Sequence, residues 1–294
     1  MRLDKFKGIG VALVTPFMPT GAVDFPALES IINDLITNGV DYIVAMATNS
    51  ESPTLSGDEK RDVIKTITTT VAGRVPVMIG IGGTNTRKII EKFKQYDLTG
   101  IDAILSVTPY YNKPSQEGLV EHYRALSYET PRPIFMYNVP GRTSCNLEAD
   151  TTLRIADECS QISGIKEASG SMNQIMKIIK HKPEDFMVIS GDDAITLPLL
   201  AVGIDGVISV VANAYPQEMS QLVHLGMQNR FNEAQLFHYK LFDIIQACFK
   251  EGSPAGVKAF MALQNKLDYY LRMPLCRVSF DLQEHIKRLY HEME

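Results

Sequence analysis

The chain has 294 residues, 45% hydrophobic and 21% charged, enough length and apolar content to bury one large α/β core. Its 29 lysines and arginines against 34 aspartates and glutamates leave a formal charge of −5, so there is no basic footprint for nucleic acid or an anionic membrane. The N-terminus Met1-Arg2-Leu3-Asp4-Lys5-Phe6-Lys7 lacks the apolar segment of a signal peptide, and no apolar run approaches the roughly 20 residues that cross a bilayer, so a cytoplasmic protein is expected.

Along the chain, short apolar β-rich runs alternate with stretches of helical period, and the alternation repeats eight times. Strands are expected over 8–15, 42–47, 75–81, 103–108, 133–139, 162–168, 185–190 and 206–212. Between them the helical period covers 25–38, 57–71, 86–96, 116–128, 149–158, 172–181 and 194–202. Strands apolar on both faces imply a parallel sheet covered by helices, and eight such units imply closure into a (β/α)₈ TIM barrel. Asp24 ahead of Phe25-Pro26, and Ser56 three residues ahead of Glu59, read as helix N-caps. Glycines after Asn38 and Val202 read as helix ends. From residue 216 only helical periods remain, over 216–226, 232–250, 254–263 and 282–293. The barrel is therefore expected over 1–215, with a C-terminal helical bundle over 216–294 packed on it.

The four cysteines (Cys145, Cys159, Cys248, Cys276) have neither the CxxC spacing of a zinc site nor a disulfide framework, so no metal is expected. The six histidines (His122, His181, His224, His238, His285, His291) fall in helical periods and read as structural or surface groups. Gly80-Ile81-Gly82 reads as a strand-end turn, since it lacks the third glycine of a dinucleotide fingerprint.

In such barrels the chemistry sits at the C-terminal ends of the strands. There the chain places Thr48-Asn49-Ser50-Glu51-Ser52 after strand two, and Thr108 to Pro114 with Tyr110 and Tyr111 after strand four. Strand five delivers Tyr137 and then Gly141-Arg142-Thr143, strand six Lys166, and strand seven Ser190-Gly191-Asp192-Asp193. Lys166 is a lone amine in the run Ile162-Ser163-Gly164-Ile165-Lys166-Glu167-Ala168. A buried ammonium costs several kcal/mol unless it is paired, neutralised or used. A lysine at a strand end is ordinarily a solvated rim charge, and a tyrosine there is core with a wet hydroxyl. Their emergence from consecutive strands, on a rim crowded with hydroxyls, points instead to imine chemistry, with the amine as nucleophile and the phenol as proton carrier.

Four segments in this order resemble the dihydrodipicolinate synthase family of pyruvate-dependent class I aldolases and lyases. They are Val107-Thr108-Pro109-Tyr110-Tyr111-Asn112-Lys113-Pro114, Tyr137-Asn138-Val139-Pro140-Gly141-Arg142-Thr143, Gly164-Ile165-Lys166-Glu167-Ala168 and Ser190-Gly191-Asp192-Asp193. The resemblance covers essentially the whole chain. It implies that Lys166 forms a Schiff base with pyruvate, that the derived enamine attacks aspartate semialdehyde, and that no metal or organic cofactor is needed. It implies a proton relay through Tyr137, Thr48 and Tyr111, the last from a neighbouring subunit. Asn49, Arg142, Ile208 and Gly191 become substrate-binding positions, with the Arg142 fork facing the carboxylate of the aldehyde substrate. A homotetramer built from dimers is also implied.

Two departures from the family pattern matter most, beside Ser50, which stands where glycine is common. Asn49 stands where a second threonine is usual, and its amide can also donate to a carboxylate. Lysine-inhibited relatives carry an acid where Lys88 stands here, so weak or absent lysine feedback is expected. The rival within this superfamily is an N-acetylneuraminate lyase or keto-deoxy-sugar aldolase, which shares the lysine and tyrosine but not Gly141-Arg142-Thr143. A rival of another class is a non-catalytic small-molecule-binding barrel.

Overall fold

The computed structural model describes residues 3–293. Its eight strands are β1 (Gly8–Ala12), β2 (Tyr42–Ala45), β3 (Val77–Gly80), β4 (Ala103–Val107), β5 (Ile134–Asn138), β6 (Ile162–Glu167), β7 (Met187–Ser190) and β8 (Gly206–Ser209). They pair in chain order and in parallel, and β8 pairs back onto β1 to close the expected barrel.

Each strand is shorter than its apolar run, for local reasons. Pro76 and Pro133 carry no N–H, so β3 and β5 begin one residue later. Past β1 the ladder gives way to side-chain bonds: the Val14 N–H donates to Asn213 Oδ1 at 3.1 Å, and Thr15 Oγ1 donates to the Ser50 carbonyl at 2.8 Å. The helical run at 194–202 divides into a 3₁₀ turn, Asp193–Ile195, and a helix, Thr196–Ala201. Pro198 is tolerated only in a first turn, which sets that helix's start. A four-residue helix, Pro140–Thr143, is unannounced by any period and carries Arg142 over the barrel mouth.

Alternate strand residues face inward, where the lower barrel is filled. Phe6 plugs the bottom from a 3₁₀ turn, Asp4–Phe6, edge-on to Tyr42 and Phe135 with centroids 5.3 and 5.4 Å away. Gly10 and Gly164 make room for these rings, since a Cβ there would come within 2.1 Å of the Tyr42 ring and 2.7 Å of the Phe135 ring. With Val44, Met78, Leu105, Met187, Ile189 and Ile208 beside them, this inner cluster closes the barrel below. The inside of the barrel therefore opens toward its C-terminal mouth.

The outward-facing residues, Ile43, Ile79, Ile104, Ile134 and Ile165 among them, pack under the helices in one continuous core. Asp24 and Ser56 cap helices Phe25–Thr37 and Gly57–Val71 as expected, Ser56 in a full capping box with Glu59. Helix Pro216–Met227 lies against β1, β8 and helix Thr196–Ala201, so it fills the eighth outer position. The same helix also packs along helix Phe231–Phe249, so it joins the barrel to the C-terminal extension. The remaining helices, Phe231–Phe249, Ala255–Leu263 and Phe280–Met293, form the extension.

The four cysteines are free thiols. Among the described residues no helix is long and apolar enough to cross a membrane, and no His/Cys/Asp/Glu cluster could hold a metal ion.

Candidate active site

The pleat of β6 decides what Lys166 can do. Gly164 and Lys166 point into the barrel, and Ile165 and Glu167 point out to the helices. Glu167 is 1% exposed, and its carboxylate accepts from Asn138 Nδ2, the Ser169 N–H and Gln174 Nε2 at 2.7–3.2 Å. The neighbouring acid is thus occupied on the opposite face of the sheet. Lys166, 4% exposed, makes no hydrogen bond or ion pair among the described residues. Its Nζ stands 4.5 Å from the centroid of the Tyr137 ring, the register partner of Lys166 on β5. An amine held against a phenol, free of any acid, is the arrangement that carbonyl addition requires.

A cavity of about 360 Å³ opens above the amine, lined by Lys166, Tyr137, Thr48, Asn49, Arg142 and Gly191. An outer cavity of about 440 Å³ shares Thr48, Tyr137, Val139 and Arg142 with it and runs on to Tyr110, Lys60 and Lys92. Six of the expected site residues therefore meet in one chamber. Gly191 earns its place sterically: a Cβ there would lie 2.7 Å from Ala168 Cβ and 2.9 Å from Lys166 Cε.

Two expected residues lie elsewhere. Ile208, 1% exposed, belongs to the apolar cluster below the chamber, and Val210, two residues on, lines the wall instead. Its inward direction was legible from the strand period, but its depth was not. Tyr111 is 90% exposed with φ +67° and lines neither cavity. It stands on a protruding loop in a left-handed conformation uncommon for an aromatic residue.

The loop after β2 is bolted down. It forms a 3₁₀ turn, Thr48–Ser50, between left-handed residues Met46 and Glu51. Ser50 Oγ donates to the Leu13 carbonyl at 2.7 Å, and Asn49 Nδ2 donates to the Ala12 carbonyl at 3.2 Å. Further anchorage comes from the extension. Ser253 Oγ meets Asn49 Oδ1 at 2.7 Å, and the Ser253 carbonyl accepts from Arg142 at 3.5 Å. The Lys258 ammonium pairs with Glu51, and Arg272 donates its N–H to Glu51 and its guanidinium to Glu59, Thr54 and Gly21. The Arg272 guanidinium holds the Glu59 carboxyl well below the usual range, at about 2. Ile245, Gln246 and Phe249 of helix Phe231–Phe249 complete the inner chamber wall.

Ser253, Lys258 and Arg272 went unseen in the sequence. Lys258 carried the signal that singled out Lys166, a lysine in an apolar run (Ala255-Gly256-Val257-Lys258-Ala259-Phe260). In the outer chamber, burial and the charges of Lys60 and Lys88 push the Lys92 ammonium below its ordinary pKa.

Residues 5–293 match the model of the dihydrodipicolinate synthetase family. The chain is 45% identical to a 4-hydroxy-tetrahydrodipicolinate synthase of Parabacteroides distasonis over 98% of its length and 97% of the relative's. It is 47% identical to the enzyme of that name from Flavobacterium psychrophilum, over 97% of each. The crystal structure of dihydrodipicolinate synthase from Thermotoga maritima superimposes with a TM-score of 0.95 at 37% identity, covering 98% of this chain and 99% of that one.

Proposed function

The chain belongs to the dihydrodipicolinate synthetase family, and we propose that Lys166 is the amine through which it performs that family's reaction. The reaction condenses pyruvate with aspartate semialdehyde to 4-hydroxy-tetrahydrodipicolinate, a step of lysine biosynthesis. The single observation that carries the role of Lys166 is its buried, acid-free amine facing the chamber beside Tyr137.

The Lys166 nitrogen adds to the pyruvate ketone, and loss of water leaves a protonated imine. That imine withdraws electrons from the adjacent methyl group, which loses a proton to give an enamine. The enamine carbon attacks the aldehyde of aspartate semialdehyde, whose oxygen takes up a proton. The substrate's own amine then displaces Lys166 and closes the ring. Tyr137 and Thr48, both on the chamber wall, carry these protons, since a hydroxyl can both donate and accept. Asn49 supports the pyruvate carboxylate, and Arg142, shared by both cavities, receives the carboxylate of the aldehyde substrate. No cofactor enters this scheme, because the protonated imine is itself the electron sink.

The exposed Tyr111 gains a role if a second copy of the chain brings it to the mouth, so the working unit is at least a dimer, and a tetramer of two such dimers suits a cytoplasmic enzyme of this family. Sedimentation of Tyr111→Phe and the parent chain separates assembly from chemistry: equal mass with lower turnover is expected, and unchanged turnover would remove Tyr111 from the relay.

Borohydride reduction in the presence of pyruvate tests the central claim. A covalent adduct mapped to the Lys166 peptide, absent in Lys166→Ala, is expected. An unmodified Lys166 would overturn it.

A further inference from the structure

Asn49 lines the chamber, 2% exposed, and its usefulness depends on which way its amide points. The neighbours decide this chemically. The Ala12 carbonyl can only accept, so the atom 3.2 Å from it must be the NH₂ group. The amide oxygen then faces Ser253 Oγ at 2.7 Å, and the Ser253 hydroxyl must be the donor. Each NH₂ group has two hydrogens, and Ala12 takes one. Among the described residues no acceptor takes the other, and Asn49 is on the wall of the chamber that holds Lys166.

We propose that Ser253 is a positioning residue that locks Asn49 with its free N–H presented to the carboxylate of the bound keto acid. This rests on the reading of the chamber as a pyruvate site. Ser253 is suited to the task because it is itself 5% exposed and its carbonyl accepts from Arg142. One residue of the C-terminal extension thus touches the side chains proposed for both substrate carboxylates. Without the Ser253 hydroxyl, the Asn49 oxygen would be buried with no donor, and the amide would lose the contact that sets its direction.

The test is borohydride trapping across a range of pyruvate concentrations in the full-length enzyme, for the parent chain, Ser253→Ala, Asn49→Ala and the double variant. Ser253→Ala should trap fully at saturating pyruvate but need about tenfold more to reach half-saturation, with the turnover number changed far less. In the Asn49→Ala background the second substitution should add little, because both act on one contact. Ser253→Thr, which keeps the hydroxyl, should stay near the parent. Equal half-saturation in Ser253→Ala and the parent, or additive effects in the double variant, would overturn the proposal. A parent chain that never traps pyruvate would instead refute the underlying site, so the two failures are distinguishable.

Discussion

The ammonium of Lys258 and the carboxylate of Glu51 form an ion pair in which both side chains are 0% exposed. The Lys258 Nζ also lies 4.5 Å from the centroid of Phe17 and donates to the Tyr270 carbonyl at 3.2 Å. Glu51 takes a second donor from the Arg272 N–H at 3.0 Å. The pair thus ties helix Ala255–Leu263 to the loop that carries Thr48 and Asn49. Breaking one side of such a pair strands a buried charge.

Lys258→Met should therefore destabilise the fold by about 3–5 kcal/mol, read as a fall in the urea midpoint at constant slope. Combining it with Glu51→Gln should recover part of that loss, because no uncompensated charge remains. A Lys258→Met protein as stable as the parent would contradict the enclosed pair.

Gly191→Ala probes the packing around the reactive amine. The new methyl would collide with the fixed Ala168 Cβ and displace the Lys166 stem. A displacement of about 1 Å is enough to lower turnover about 10²-fold, and the overpacking against Ala168 should cost about 1–3 kcal/mol of stability as well. Steady-state rates on the purified variant measure this, and unaltered turnover would show that the stem has slack.

His122 makes stability fall on the acid side. It is buried, with Nδ1 2.8 Å from Thr86 Oγ1 and no partner at Nε2, and burial pushes its pKa from 6.5 down to about 4. The unfolded chain therefore binds a proton that the native state refuses between those values. Its contribution is intact above pH 6.5 and is lost as pH falls, the loss amounting to about 3 kcal/mol by pH 4. His122→Asn should flatten the urea-midpoint profile between pH 4 and 6.5 relative to the parent, and superimposable slopes would refute this account.

Free lysine should inhibit weakly. Lys60 and Lys92 line the outer chamber, Lys88 is close enough to act on Lys92, and none of the three has an ion-pair partner among the described residues. A ligand ammonium entering there meets like charge. Half-inhibition at sub-millimolar lysine would sink this prediction, and Lys88→Glu should raise whatever sensitivity exists.

The sequence by itself determined the barrel, because strand and helix periods are local properties and eight alternations leave one economical closed topology. It also determined that Lys166 and Tyr137 emerge from consecutive strands, while the register shift between Ile134 and Phe135 that sets them directly opposite each other belongs to the tertiary structure. It did not distinguish Lys166 from Lys258: both are lysines in apolar runs, and both are buried. Only the tertiary structure decided that one is paired with an acid 207 residues away and the other faces an open chamber without one. The depth of Ile208, the place of helix Pro216–Met227 in the barrel, and the grip of Ser253 on Asn49 across 204 residues are of the same kind. Periodicity says which face a side chain takes. What waits on that face is set by the closing of the barrel and the return of the C-terminal extension to its mouth.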